Sequence, residues 1–242
     1  MNGWIVPDWP VPPQVRALVT TRAGGVSRGP YASMNLASHV GDEPAAVAEN
    51  RRRLRECLPA EPFWLNQVHG REVACADRSP AGVEADAAYA GQTGKVCAVL
   101  TADCLPLLLC DEGGSVVGAV HAGWRGLAAG VVEAALQAMK VPPQNVLAFL
   151  GPAIGPQAFE VGEEVRVAFM AHSMDAAAAF AEKGNGKWRA DLYLLARQRL
   201  VALGVARIYG GGRCCFTESG SFYSYRRERV TGRMAALIWL QP

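Results

Sequence analysis

Hydrophobic positions fall into two patterns along this chain. Between residues 95 and 120 they form near-continuous runs, Val96 to Leu100, Leu105 to Cys110 and Val116 to Val120, broken by Thr101-Ala102-Asp103 and by Gly113-Gly114. Short apolar runs bounded by turn residues predict core strands. Elsewhere apolar residues recur at helical spacing. Asp191 is placed to cap a helix in which Leu192, Leu195, Ala196, Leu200 and Leu203 form one stripe, with Gly204 at its stop. A helix is also predicted behind Gly41, with Asp42 as its N-cap and Val47, Leu54 and Leu58 sharing a face. Leu127 to Met139 has the composition of a packed helix, and Ala176 to Ala179 carries a further helix signal.

Strand-like segments complete the pattern. Val15 to Thr21 follows an extended, Pro-rich opening and runs into a Gly24-Gly25 turn, which places Arg22 at a strand end. Val205 to Tyr209 precedes a triple glycine, and a last strand pair is predicted around Phe222 to Arg226 and Met234 to Leu240. Strands and helices mix without a regular βαβ period, and no repeat or linker interrupts them. The expected architecture is one α+β domain over residues 1–242.

Composition narrows the classes of function. Half the residues are hydrophobic and the formal net charge is +2, so no global field favours nucleic acid or an anionic membrane. Arg51, Arg52, Arg53 and Arg55 read as a solvated helix face. The most apolar stretch, Val96 to Cys110, is interrupted by Asp103 and is too short to span a bilayer. Seven cysteines at irregular spacing do not make a disulfide framework, and the opening residues lack the basic and apolar regions of a secretory signal. A soluble protein of the reducing cytoplasm is expected.

Candidate chemistry sits at the strand edges. His69 lies in Asn-Gln-Val-His-Gly, Cys104 follows Asp103 at the start of an apolar run, and His121 ends another before Ala-Gly-Trp-Arg-Gly. Imidazole and thiolate are favoured Zn²⁺ ligands, and three protein ligands leave a fourth position for water or substrate. The spacing alone does not distinguish such a site from an ordinary core cysteine with unrelated histidines. Arg125 and Gly126 precede a helix start, where free N–H groups suit an anion, and Arg22 could add a bidentate donor. Asn35 and Gln67 are candidates for ribose or base contacts, or alternatively for turn capping. Arg226 and Arg227, as strand neighbours, should point to opposite sides. Asp103 could accept a proton or orient a ligand. His39 could reach the same cleft but suits a polar loop equally well, and His172 has no comparable motif.

Five motifs occur in order: Thr20-Thr21-Arg22 with Gly24-Gly25-Val26-Ser27, Asn66-Gln67-Val68-His69-Gly70, Ala102-Asp103-Cys104-Leu105-Pro106, His121 to Gly126, and Phe222 to Arg227. Together they resemble the laccase-domain, or YfiH-like, family, over nearly the whole chain. That resemblance implies an α/β/β/α sandwich of mixed sheets, with His69, Cys104 and His121 as zinc ligands. It also implies phosphorolysis of purine nucleosides (adenosine, inosine, guanosine and methylthioadenosine) accompanied by adenosine deamination. Cys104, Asp103 and Arg22 would be catalytic, and Asn35, Gln67, Arg125 and Arg226 would bind substrate. The oxidase label attached to the family fits poorly, because a multicopper cluster is ligated largely by histidine and the chain has four. A single copper at the same three residues remains chemically feasible.

Two other functions compete. A metal-free cysteine hydrolase would use Cys104 as nucleophile and His121 as base. A non-enzymatic zinc-stabilised binding module would need a fourth ligand, for which Cys214 or Cys215 is available; the Cys214-Cys215-Phe216-Thr217 stretch departs from the family pattern of one cysteine before threonine.

Overall fold

A computed structural model describes residues 3–241, so the ends of the expected 1–242 domain lie outside the described residues. In chain order the elements are β1 (Val15–Val19), α1 (Pro44–Arg55), β2 (Pro62–Phe63), β3 (Val73–Cys75), β4 (Ala87–Ala90), β5 (Val96–Thr101), β6 (Leu105–Asp111), β7 (Val117–Ala122), α2 (Trp124–Ala129), α3 (Val131–Met139), β8 (Val146–Leu150), β9 (Glu160–Gly162), α4 (Glu163–Met170), β10 (Phe180–Gly184), β11 (Lys187–Ala190), α5 (Leu192–Ala202), β12 (Arg207–Gly210), α6 (Tyr225–Glu228) and β13 (Met234–Leu240).

The strands make a four-stranded sheet, β1-β13-β5-β2, a six-stranded sheet, β12-β8-β6-β7-β4-β3, and a small sheet, β10-β11-β9. The two large sheets pack face to face. Cys97 and Val99 of β5 and Ala236 and Ile238 of β13 meet Leu108 and Cys110 of β6 and Ala119 of β7. Their alternate residues face outward into helices. Ala98, Leu100 and Leu237 pack with Leu54 of α1, while Leu105, Leu107 and Leu109 pack with α2 to α5. Each central strand is therefore covered on both faces, which is why its sequence is an unbroken apolar run rather than an alternation. The result is the expected α/β/β/α sandwich in a single α+β domain.

Local chemistry accounts for the helix ends. Asp191 caps α5 by accepting from the backbone N–H of Leu194 at 3.0 Å, and Gly204 closes it with φ +94°. The expected helix over Leu127 to Met139 is two helices meeting at Gly130, whose φ of 93° breaks the turn. Ala176 to Ala179 belongs to a 3₁₀ turn, Met174–Ala179. Asp42 does not cap α1. Glu43 occupies that position without a side-chain bond, Pro44 opens the helix, and the Asp42 carboxylate instead accepts from Ser27 and Asn35. Phe222 to Arg226 is not a strand either. Ser224 accepts from the Arg227 N–H and starts the short helix α6, so the aromatic residues there pack around a cap rather than along a sheet.

The arginines of α1 divide. Arg52 and Arg53 pair with Glu49 on the helix surface, whereas Arg51 lies over the Trp64 ring, 4.4 Å from its centroid, and donates to the Leu36 carbonyl.

Candidate active site

Strand polarity brings the site together. In the six-stranded sheet β7 runs antiparallel to both β6 and β4. The residue before β4, Asp86, the residue before β6, Cys104, and the penultimate residue of β7, His121, therefore reach the same edge. His69 arrives from the loop after β2 with φ 61°. The metal-capable atoms of His69, Cys104 and His121 all lie within 4.8 Å of one another, the one such group among the described residues. Cys104 Sγ is 3.9 Å from His69 Nε2, close to the roughly 3.5 Å expected between two ligands of a tetrahedral zinc.

Asp86 organises this group, and sequence reasoning missed it. It is fully buried and accepts His121 Nδ1 at 2.7 Å, together with the backbone N–H groups of Val68, His69 and Gly70 at 3.2, 3.0 and 2.6 Å. One carboxylate thus fixes the tautomer of one imidazole and the loop that carries the other. Burial works to raise the Cys104 pKa, but the charge and hydrogen bonding of His121 and His69 outweigh it and bring the thiol down to about 6. Burial works to lower the His121 pKa, but the Cys104 and Asp86 charges and hydrogen bonds outweigh it and carry the imidazole up to about 9. The donor set is thus disposed to lose its thiol proton, as a metal ligand must.

Glycines allow the close packing. A Cβ on Gly123 would lie 3.0 Å from Cys104 Sγ and 3.2 Å from His69 Cδ2, and one on Gly126 would lie 2.7 Å from the Gly70 carbonyl oxygen. The Ala-Gly-Trp-Arg-Gly stretch therefore runs directly from β7 into α2 against the His69 loop.

The three residues line a half-open cavity of about 500 Å³. Leu65, Leu100, Ile154 and Phe159 give it apolar walls, with Trp124 and Tyr225 at its aromatic edges, and Arg125, Arg226, Arg229, Arg233 and His39 bring cationic or basic groups. Asp103 is the single carboxylate among its lining residues. Its φ is 89°; Oδ2 accepts the Arg226 N–H at 2.7 Å, while Oδ1 is buried with no partner among the described residues. Burial raises the Asp103 pKa above the usual carboxylate range against the opposing hydrogen bonds.

Other expected site residues sit elsewhere. Arg22 does not line the cavity. Its guanidinium donates to the Ala32 and Ser219 carbonyls and to Glu228 and lies 4.9 Å from the Tyr223 ring centroid, a structural clamp. Asn35 is buried in the neighbouring loop, where its amide bonds with Ala37, Asp42 and the Arg233 N–H; the capping alternative describes it. Gln67 lines the cavity, but its amide exchanges two bonds with the Leu100 backbone, at 2.9 and 2.7 Å. Arg226 faces the cavity, and Arg227 is bound by the Cys215, Phe216 and Phe222 carbonyls rather than turned to solvent. His39 does reach the cleft. His172 lines a separate surface cleft with Glu133 and Arg199. Arg229 and Arg233 were not anticipated. Arg233 stands just before β13, whose Met234 pairs with Thr101 of β5, and that register carries it to the Asp103-Cys104 turn.

An open, three-donor metal-type centre at the end of a two-sheet sandwich, walled by apolar surface and arginine, defines the class of site. Comparison with known proteins then places the chain. It matches the family described as multi-copper polyphenol oxidoreductase laccase over residues 16–241 and belongs to that family. A Pseudomonas aeruginosa protein named purine nucleoside phosphorylase PA4543 is 55% identical over 242 residues, covering 100% of both chains. Escherichia coli purine nucleoside phosphorylase YfiH is 55% identical over 243 residues, covering 99% of this chain and 100% of its own. The crystal structure of Neisseria meningitidis protein NMB0706 superposes with a TM-score of 0.96 at 49% identity, covering 100% of both chains. Among the described residues no helix is long and apolar enough to cross a membrane.

Proposed function

We propose that this protein is a zinc-dependent purine nucleoside phosphorylase with adenosine deaminase side activity. The observation that carries the reading is the composition of the cavity: a His-Cys-His group and four arginines surround an apolar slot whose single carboxylate is already engaged with the Arg226 backbone. Unpaired cations around a space of nucleoside size suit an anionic co-substrate.

Phosphorolysis joins a phosphate oxygen to C1′ of the ribose as the C1′–N9 bond breaks and its electron pair leaves with the purine. Arg233 and Arg229, with His39 beside them, are assigned to the phosphate. Asn35 fixes the Arg233 backbone, and the Arg233 guanidinium is anchored by the Thr231 and Gly232 carbonyls through one nitrogen, leaving other donors free. Held cations of this kind position the nucleophile and offset its charge without reorganising during reaction. Asp103 is assigned to positioning the cavity wall, since Oδ2 holds the Arg226 backbone and Oδ1 is buried. The walls formed by Leu65, Leu100, Ile154 and Phe159 stack a purine without reading its 6-substituent, which supports breadth across adenosine, inosine, guanosine and methylthioadenosine. Arg125 and Arg226 bind substrate at the rim.

His69, Cys104 and His121 would hold the metal, which supplies Lewis acidity for polarising substrate or water when bound. Zinc suits the donor set, and copper would accept the same ligands. Asp86 keeps the His121 Nε2 lone pair available by holding the proton on Nδ1. Metal-loaded protein incubated with inosine should release hypoxanthine only when phosphate is supplied, and adenosine should additionally yield inosine. Equal hypoxanthine release without phosphate would overturn the phosphorylase reading.

A further inference from the structure

The cavity does not end at its arginine rim. Trp124, Arg125, Phe159 and Arg226 also wall an adjoining groove of about 360 Å³ that continues to Lys187 at the start of β11. We infer that this groove is a subsite for a phosphate monoester, so that purine nucleoside 5′-monophosphates bind with the base and ribose in the cavity and the 5′-phosphate between Arg125, Arg226 and Lys187. This rests on the nucleoside reading proposed above.

Three features carry the inference. Arg125 lies over Trp124, 4.5 Å from the ring centroid, and Arg226 lies over Phe159 at 5.6 Å. Each guanidinium is thus held by an aromatic surface on the shared rim, and neither has an ion-pair partner among the described residues. Arg226 is further fixed by donating to the Glu160 carbonyl at 2.7 Å, which leaves its remaining N–H groups free. Ordered, unpartnered cations facing one space repel each other, and an anion between them removes that cost.

The acidic groups of the groove do not cancel this field. Glu160 is paired with Lys183, and Glu164 sits in the first turn of α4 against Gly162. Three lining cations, Arg125, Arg226 and Lys187, face the two carboxylates of Glu160 and Glu164, and Lys183 adds a further positive charge beside Glu160. Phe159 and Trp124 line both the cavity and the groove, so the two spaces adjoin at these side chains. The arrangement also keeps this anion apart from the phosphate assigned to Arg229 and Arg233, since neither of those residues lines the groove.

Calorimetric titration of the zinc-loaded protein with inosine, IMP, 5′-methylthioadenosine and inorganic phosphate tests the inference. IMP should bind at least tenfold more tightly than inosine, and raising the salt concentration should weaken IMP far more than inosine. Lys187→Ala should cut the affinity ratio of IMP to inosine several-fold, and Lys187→Arg should restore it. IMP binding no better than inosine, or a preference confined to the uncharged 5′-methylthio ligand, would overturn the subsite. So would Lys187→Ala weakening inorganic phosphate while leaving the ratio of IMP to inosine intact, because the groove would then hold the co-substrate. Phosphate-dependent turnover of inosine in the same preparation tests the nucleoside reading separately.

Discussion

The Asp86 carboxylate accepts the His121 Nδ1 proton at 2.7 Å while three successive backbone N–H groups, ending at Gly70, converge on the same side chain. Two metal-type ligands on separate segments are therefore set by one buried acid. Asp86→Asn places an amide where an all-acceptor group is needed, so it should weaken zinc binding by about 10–100-fold. Competition with a chromophoric chelator measures this, and wild-type zinc affinity in a folded variant would contradict the role given to Asp86.

Protein purified without added copper should carry about one zinc per chain, since two imidazoles and a thiolate make an open three-ligand site. His69→Ala and Cys104→Ala should each lose it, as read by elemental analysis. Full zinc in both variants would remove these residues from the metal centre and favour a different one.

Gly126→Ala gains helix propensity of about 1 kcal/mol but drives a methyl group to 2.7 Å from the Gly70 carbonyl oxygen. The clash is with backbone, so it should win, with a net loss of about 1–3 kcal/mol. Gly123→Ala presses on Cys104 and His69 instead and should lower zinc affinity more than Gly126→Ala does. Denaturant melts with and without zinc separate the two effects; a Gly126→Ala protein as stable as wild type would refute the packing argument.

Arg22 and Arg233 should fail differently. Arg233→Ala removes a charge-assisted contact worth about 1.5–3 kcal/mol, so KM for phosphate should rise roughly 10–100-fold while inosine affinity changes little. Arg22→Ala removes bonds to Ala32, Ser219 and Glu228 and should lower the melting temperature, with KM for phosphate within about twofold of wild type. The opposite pattern would return the phosphate to Arg22.

Much of this was legible in the sequence, for identifiable reasons. The runs in β5, β6 and β7 advertise strands covered on both faces, and the Asp191 cap with Gly204 marks α5 at both ends. The strand-to-helix turn after His121 also follows from local residue types. Asp86 left no such mark, because its burial and its four acceptor bonds depend on β4 pairing with β7. Arg233 reaches the cavity through the register of β13 on β5, which its own segment does not encode. Tyr223 and Tyr225 gave Phe222 to Arg226 the composition of a strand, and the Ser224 cap won locally. Arg22 sits in a motif, yet its bonds to Ala32, Ser219 and Glu228 come from segments that its own stretch does not encode.

In the proposed reaction phosphate, rather than water, attacks C1′ in the cavity lined by Arg233 and the His-Cys-His group. The most direct measurement follows oxygen: inosine is turned over with ¹⁸O-labelled phosphate in ordinary water, and the sugar product is examined by mass spectrometry and ³¹P NMR. Phosphorolysis predicts ribose 1-phosphate carrying the phosphate label in its C1′–O–P bridge. Unlabelled free ribose formed at the full rate of hypoxanthine release would show that water is the nucleophile and would rule out phosphorolysis.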